Sequence, residues 1–187
     1  STIGIPEDTI ETYSWGWYIK RNPFLYYWIN GRIINLITLI SPSISDWGLL
    51  ITLRLVNILY ALGTLLVCYF LSGSVIKDKW WRLLPVFLLS QTLMFVFLAS
   101  GVNYDNLANL FSIAGLYFLV RVFVREHFIN NSLAWMIMIA FGSLVKYTVL
   151  PLALAMFIAW SAYVLINRKD IWPIRISGAK TITLVLI

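Results

Sequence analysis

The chain has 187 residues, 60% of them hydrophobic and only 12% charged, with mean hydropathy +0.83. A soluble domain carries roughly 25% charged residues, so this chain has too few polar side chains to cover a water-facing surface, and the same count excludes disorder. The net charge of +6 reads as Lys and Arg at the ends of membrane spans, not as a nucleic-acid footprint, while one Cys and one His exclude an internal disulfide and the usual zinc clusters.

Residues 1–47 are too long and too mixed for a plain loop. They open with Pro6-Glu7-Asp8 and Glu11, then an aromatic cluster of Trp15, Trp17, Tyr18, Tyr26, Tyr27 and Trp28 suited to the headgroup level. Residues 24–40 are apolar but interrupted by Asn30, Arg32, Asn35 and Thr38. That pattern predicts an amphipathic helix lying in the membrane interface, stopped by Ser41-Pro42-Ser43.

From residue 48 onward, runs nearly free of charge follow one another. A membrane helix needs about 20 mostly apolar residues, and five such stretches fit: 49–71, 83–102, 106–124, 129–145 and 148–166. A sixth starts near Thr181. Helices are required because lipid offers no partner to a bare backbone. Only Lys146-Tyr147-Thr148 separates the fourth span from the fifth, with Pro151 just beyond, so the two form a tight hairpin or one broken helix. The expected fold is an all-α polytopic transmembrane bundle over 48–187, preceded by an outer segment over 1–47. The start at Ser1 without Met and the stop inside an apolar run, 181–187, read as a fragment of a longer protein.

Loop charges orient the bundle. Lys77, Lys79, Arg82, Arg121, Arg125, Arg168, Lys169, Arg175 and Lys180 all fall on one side. The positive-inside rule makes that side cytoplasmic. Residues 1–47, the 101–105 loop and Lys146 then face outward. Of the eight acids, Asp78, Glu126 and Asp170 sit among the basic loops, and Asp46 sits where it could cap the first span. The other four, Glu7, Asp8, Glu11 and Asp105, gather outside.

Each outer group has a chemical and a structural reading. Glu7, Asp8 or Glu11 could supply a general base or a metal ligand, since a carboxylate desolvated at a membrane surface is sharpened for proton abstraction; alternatively they lie in a solvated loop, or Asp8 and Glu11 form a capping box. Asp105 either begins a helix, where the dipole favours an acid, or serves chemistry with Asn103 and Asn106 as hydrogen-bonding neighbours. Lys146 interrupts a long apolar stretch near the outer surface. It either snorkels to the interface or, with Lys20, Arg21 and Arg32, neutralises a phosphate. Arg54 lies about one turn inside the first span, with Asn57 three residues on, and reads as a snorkelling or helix-pairing group. The Asn130-Asn131-Ser132 sequon falls on the cytoplasmic side, which argues against its use. Phosphate loops, dinucleotide fingerprints, HExxH and nucleophile elbows are absent from the sequence.

Several of these motifs resemble a known class. The outer acids followed by Asn22-Pro23-Phe24-Leu25-Tyr26-Tyr27-Trp28 look like the acidic pair and "HPPLYYW" of polytopic GT-C glycosyltransferases, in the protein mannosyltransferase and aminoarabinose transferase group. Asn103-Tyr104-Asp105-Asn106-Leu107 resembles that class's second outer loop, and Leu144-Val145-Lys146-Tyr147-Thr148 its "LTKYT" turn. The resemblance implies a polyprenyl-phosphate-linked sugar donor, a lipid or protein acceptor on the outer face, and a multi-pass location in a bacterial inner or plasma membrane in preference to the endoplasmic reticulum. It gives Glu7 or Asp8 the part of acceptor-activating base and Asp105 that of second-loop acid. Lys146 falls to the donor phosphate, and Arg21, Asn22, Asn103 and Tyr26 to substrate binding. A bound divalent cation is the alternative partner for the leaving phosphate; no ligand set or other cofactor is identified. The chain departs from the motif in the order Glu7-Asp8, and in Asn22 and Phe24 standing for its His and second Pro.

Two other classes compete. A transporter or lipid flippase places ionisable groups near the bilayer midplane, whereas here they sit mainly at the outer edge. A non-catalytic membrane subunit would tolerate loss of all four outer acids.

Overall fold

The computed structural model describes residues 24–124 and 127–167. These form seven α-helices: α1 (Leu25–Ile40), α2 (Asp46–Val75), α3 (Leu83–Gln91), α4 (Leu93–Ser100), α5 (Tyr104–Phe123), α6 (Phe128–Val145) and α7 (Leu150–Ile166). A single 3₁₀ turn, Tyr147–Val149, leads into α7. The described residues contain no strand.

The chain is a multi-pass membrane protein. Asp46–Val75, Tyr104–Phe123, Phe128–Val145 and Tyr147–Ile166 are each long and apolar enough to cross a bilayer. The helices α3 and α4, bent by 71° at a short break, are long and apolar enough to cross only when taken together as one span. The four long helices overlie the stretches 49–71, 106–124, 129–145 and 148–166. The stretch 83–102 reads in sequence as one helix, yet it breaks at Thr92, whose backbone turns extended (φ −68°, ψ 116°). Neither Pro nor Gly stands at the break. Instead the Thr92 hydroxyl donates to Leu88 O (3.1 Å) and the Ser90 hydroxyl to Phe87 O (2.8 Å). Hydroxyls that compete for helix carbonyls bend helices.

Ser45 caps α2, its Oγ accepting from the Gly48 N–H at 3.2 Å. The expected cap, Asp46, falls one residue later, in the first turn, where the helix dipole still favours it. The 30 residues of α2 rise about 45 Å, more than the roughly 30 Å hydrocarbon core, so its ends reach both interfaces. The interruptions along α1 do not prevent a helix. It runs to Ile40 and turns Tyr26 and Asn30 inward, leaving Trp28, Leu36, Leu39 and Ile40 exposed.

The core lies along α5 and α6, where Leu107, Leu119, Val122, Trp135, Ile139 and Val145 are buried. The two helices approach closely at Gly115, where a Cβ would stand 2.7 Å from Ile139 Cγ1. Small residues at such a contact let backbones near each other in a membrane. Phe111 meets Gly142 lower on the same seam, so α5 and α6 run antiparallel. On its other side α5 runs parallel to α2, since Asn106 meets Asn57 and Leu110 meets Gly63.

The α6–α7 junction is a hairpin. Trp160 Nε1 donates to Ser132 Oγ at 3.1 Å, and these two residues stand equally far along the chain on either side of Lys146. Lys146 itself is extended (φ −154°, ψ 126°). Pro151 sits in the first turn of α7, where its missing N–H leaves no helix bond unmade. The start of α5, the end of α6 and the first turns of α2 therefore meet at one end of the bundle. Arg82 and Arg121 lie at the other.

Candidate functional site

The site is built outward from a buried amide. Asn57 lies on α2 with no exposed surface. Its Nδ2 donates to Leu53 O at 2.9 Å and to the Tyr26 hydroxyl at 3.1 Å. Its Oδ1 accepts from the Asn103 N–H at 3.2 Å and from Asn106 Nδ2 at 3.3 Å. One side chain thus ties α1, α2 and the loop before α5 together. A buried amide is stable only when its donors and acceptors are used, and this one uses all of them. Burial pushes the Tyr26 phenol above its ordinary value of 10.0, partly opposed by the bond to Asn57.

That anchored loop sets the start of α5. Asn103 is extended and caps the helix, its Oδ1 accepting from the Asp105 N–H at 2.9 Å. Asp105 follows in the first turn, and its Oδ1 pairs with Lys146 Nζ. The ion pair crosses from α5 to the α6–α7 turn. Its side chains are 20% and 27% exposed respectively, so both remain accessible to a ligand. Lys146 Nζ also stands 5.2 Å from the centre of the Tyr104 ring, a cation–π distance. Tyr104 in turn packs edge-on against Tyr26, with ring centres 6.3 Å apart.

The pair lines a cavity of about 380 Å³. Asp105, Asn109, Ser112 and Thr148 contribute its polar lining. Asp105, Asn109 and Ser112 repeat at the helical spacing that places side chains on one face. A second cavity of about 310 Å³ continues along this face, sharing Asn109 and Ser112 and reaching Thr64 on α2. A polar stripe therefore runs from the ion pair into the span, where polar groups are otherwise scarce.

The structure joins Asp105, Lys146, Asn103 and Tyr26 from the sequence-derived set in one neighbourhood. Asn103 faces its own helix end, and Tyr26 is buried at 5% exposure. Asn106, expected beside Asp105, instead turns inward to Leu98 O at 2.7 Å and to Asn57. Adjacent helical residues do not share a face. Glu7, Asp8, Glu11, Arg21 and Asn22 lie outside the described residues. Among the described residues, no three His, Cys, Asp or Glu side chains converge on a point. Sequence reasoning missed Asn57, Asn109, Ser112 and Thr148. The spacing from Asp105 to Ser112 was the available signal for two of them; nothing in the local sequence marks Asn57 as the anchor.

The family model for dolichyl-phosphate-mannose-protein mannosyltransferases matches residues 21–187, nearly the whole chain. Neither the curated proteins nor the solved structures contain a match.

Proposed function

The chain belongs to the dolichyl-phosphate-mannose-protein mannosyltransferase family, a membrane glycosyltransferase family of GT-C type, and on that premise we propose that it serves sugar transfer from a polyprenyl-phosphate-linked donor to a lipid or protein acceptor on the outer face. The observation that carries this reading is the Asp105–Lys146 pair, set between the start of α5 and the α6–α7 turn and lining a cavity with Asn109, Ser112 and Thr148. In this reading α1 lies in the interface with its exposed Trp28, Leu36, Leu39 and Ile40 toward lipid, and Glu7 or Asp8, in the outer segment 1–47, supplies the base.

The chemistry follows from the charges. A polyprenyl-phosphate donor keeps its chain in lipid while its sugar reaches water, so its phosphate sits at the span ends. Lys146 binds that phosphate. The incoming anion competes with Asp105 for the ammonium group and loosens the pair. Glu7 or Asp8 takes the proton of the acceptor hydroxyl. The acceptor oxygen bonds to the anomeric carbon as the carbon–oxygen bond to the phosphate breaks. The electron pair leaves with the polyprenyl phosphate, whose new charge Lys146 and Arg21 stabilise. Asn109, Ser112 and Thr148 offer hydrogen bonds to sugar hydroxyls. Asn103 and Tyr26 act on substrate through the loop they hold in place.

The test uses proteoliposomes, a radiolabelled polyprenyl-phosphate sugar and the Lys146→Met and Asp105→Asn variants. Both variants insert normally and lose transfer. Full transfer by both would remove the pair from the mechanism. Solute flux through the wild type without any transfer would favour a transporter instead.

A further inference from the structure

At the end of the bundle away from the Asp105–Lys146 pair, α2, α5 and the turn before α3 enclose a cavity of about 340 Å³. Arg82, Arg121, Tyr69, Tyr117 and Ser74 line it, with Gly73 at its wall. Among the described residues, neither Asp nor Glu lines it. The nearby Asp78 carboxylate is engaged by the Trp80 N–H at 2.8 Å.

Arg82 is held in place by the end of α2. Its Nε donates to Ile76 O at 2.7 Å and its Nη2 to Lys77 O at 3.1 Å. Those bonds satisfy carbonyls that the helix end leaves open. They also fix the guanidinium over Gly73, where a Cβ would meet Nη1 at 3.3 Å. Among the described residues Nη1 makes no hydrogen bond, so capping uses only part of the group. Arg121, in the last turn of α5, donates from Nη1 to the Tyr117 hydroxyl at 3.1 Å and lies over that ring. Two oriented guanidiniums therefore share one cavity, and a planar fork of donors matches phosphate oxygens.

The depth of the cavity is marked independently. Trp80 and Trp81, 82% and 63% exposed, stand directly before Arg82. Exposed Trp residues at span ends sit at headgroup level, and Lys77 and Lys79 are exposed beside them. An interfacial cavity with two arginines and flanking lysines is placed for a phosphate already carried by the bilayer.

We propose that this cavity binds the phosphate headgroup of an anionic phospholipid, at the end of the bundle that the positive-inside rule makes cytoplasmic. The site stands apart from the sugar-transfer reading and does not depend on it.

The test measures binding of phosphatidylglycerol to the whole purified protein in detergent micelles, by native mass spectrometry and by thermal shift. Phosphatidylcholine and inorganic phosphate are the comparison probes. Ser74→Asp sets a carboxylate in the cavity while leaving the Arg82 bonds to carbonyls intact. Arg121→Gln removes one charge, and Arg121→Lys restores it. Phosphatidylglycerol should bind more tightly than phosphatidylcholine. Affinity should fall on the order of tenfold in Ser74→Asp and in Arg121→Gln, with partial recovery in Arg121→Lys. Inorganic phosphate should not displace the lipid. Unchanged phosphatidylglycerol binding in both Ser74→Asp and Arg121→Gln overturns the site. Displacement by inorganic phosphate overturns the lipid assignment and leaves a site for free phosphate.

Discussion

Asn57→Leu tests whether the buried amide positions the site. Leucine shares the γ-branched outline of asparagine, so the change removes the hydrogen bonds while keeping the site filled. It leaves the Tyr26 hydroxyl and the Asn103 N–H without their partner, while Asn106 keeps Leu98 O. A buried polar group left unpaired costs about 1–3 kcal/mol in a soluble core, but interhelical bonds in membranes average about 0.6 kcal/mol and reach about 1.7. Two orphaned groups at values between these limits give a destabilisation of about 2 kcal/mol. The larger effect is on geometry. The 101–105 loop loses its tie to α2, and a misplacement of about 1 Å costs on the order of a hundredfold in rate. Unfolding in mixed micelles and sugar transfer in liposomes read the two effects separately. Unchanged transfer together with a stability loss below about 0.5 kcal/mol would refute the anchoring role.

Three further outcomes follow from the same geometry. Lys146→Met and Asp105→Asn should be coupled by on the order of 1 kcal/mol in a double-mutant stability cycle; strict additivity would show that the ion pair contributes nothing to the fold. Gly115→Leu should destabilise the bundle by about 1–3 kcal/mol, because Ile139 already occupies the space; a neutral effect in thermal unfolding would contradict the close approach of α5 and α6. The raised proton affinity of Tyr26 makes the fold favour its neutral phenol, so that share of stability is full below the ordinary value of 10.0 and is lost as pH climbs through the raised one. Alkaline unfolding curves of wild type and Tyr26→Phe should therefore converge at the top of the pH range, and parallel curves would show that the phenol carries no such linkage.

The spans were legible because lipid forces a simple rule: long apolar runs must be helices. The stretch 129–145 ends where α6 ends, at Val145, for that reason. The bend at Thr92 was hidden, because hydroxyl side chains also occur in straight helices and only their carbonyl partners reveal the break. Asp46 missed the cap by one residue because Ser45 and Asp46 are both good capping groups, and the choice depends on backbone entry. In the site, charge was readable and neutrality was not. Asp105 and Lys146 stood out from an apolar background, and they meet. Asn57 looked like a minor neighbour of Arg54, since Tyr26, Asn103 and Asn106, three of its four partners, come from distant stretches of chain. Asn106 shared a motif with Asp105 in sequence but not a face on the helix.

The most direct test is sugar release. Purified protein in liposomes, supplied with a polyprenyl-phosphate-linked radiolabelled sugar and an acceptor, should discharge polyprenyl phosphate and label the acceptor. The combined Glu7→Gln and Asp8→Asn variant should insert equally well and lose that turnover. Equal turnover by the wild type and the combined variant would contradict the assignment of the base, and no turnover by the wild type with any lipid-linked sugar would contradict sugar transfer itself.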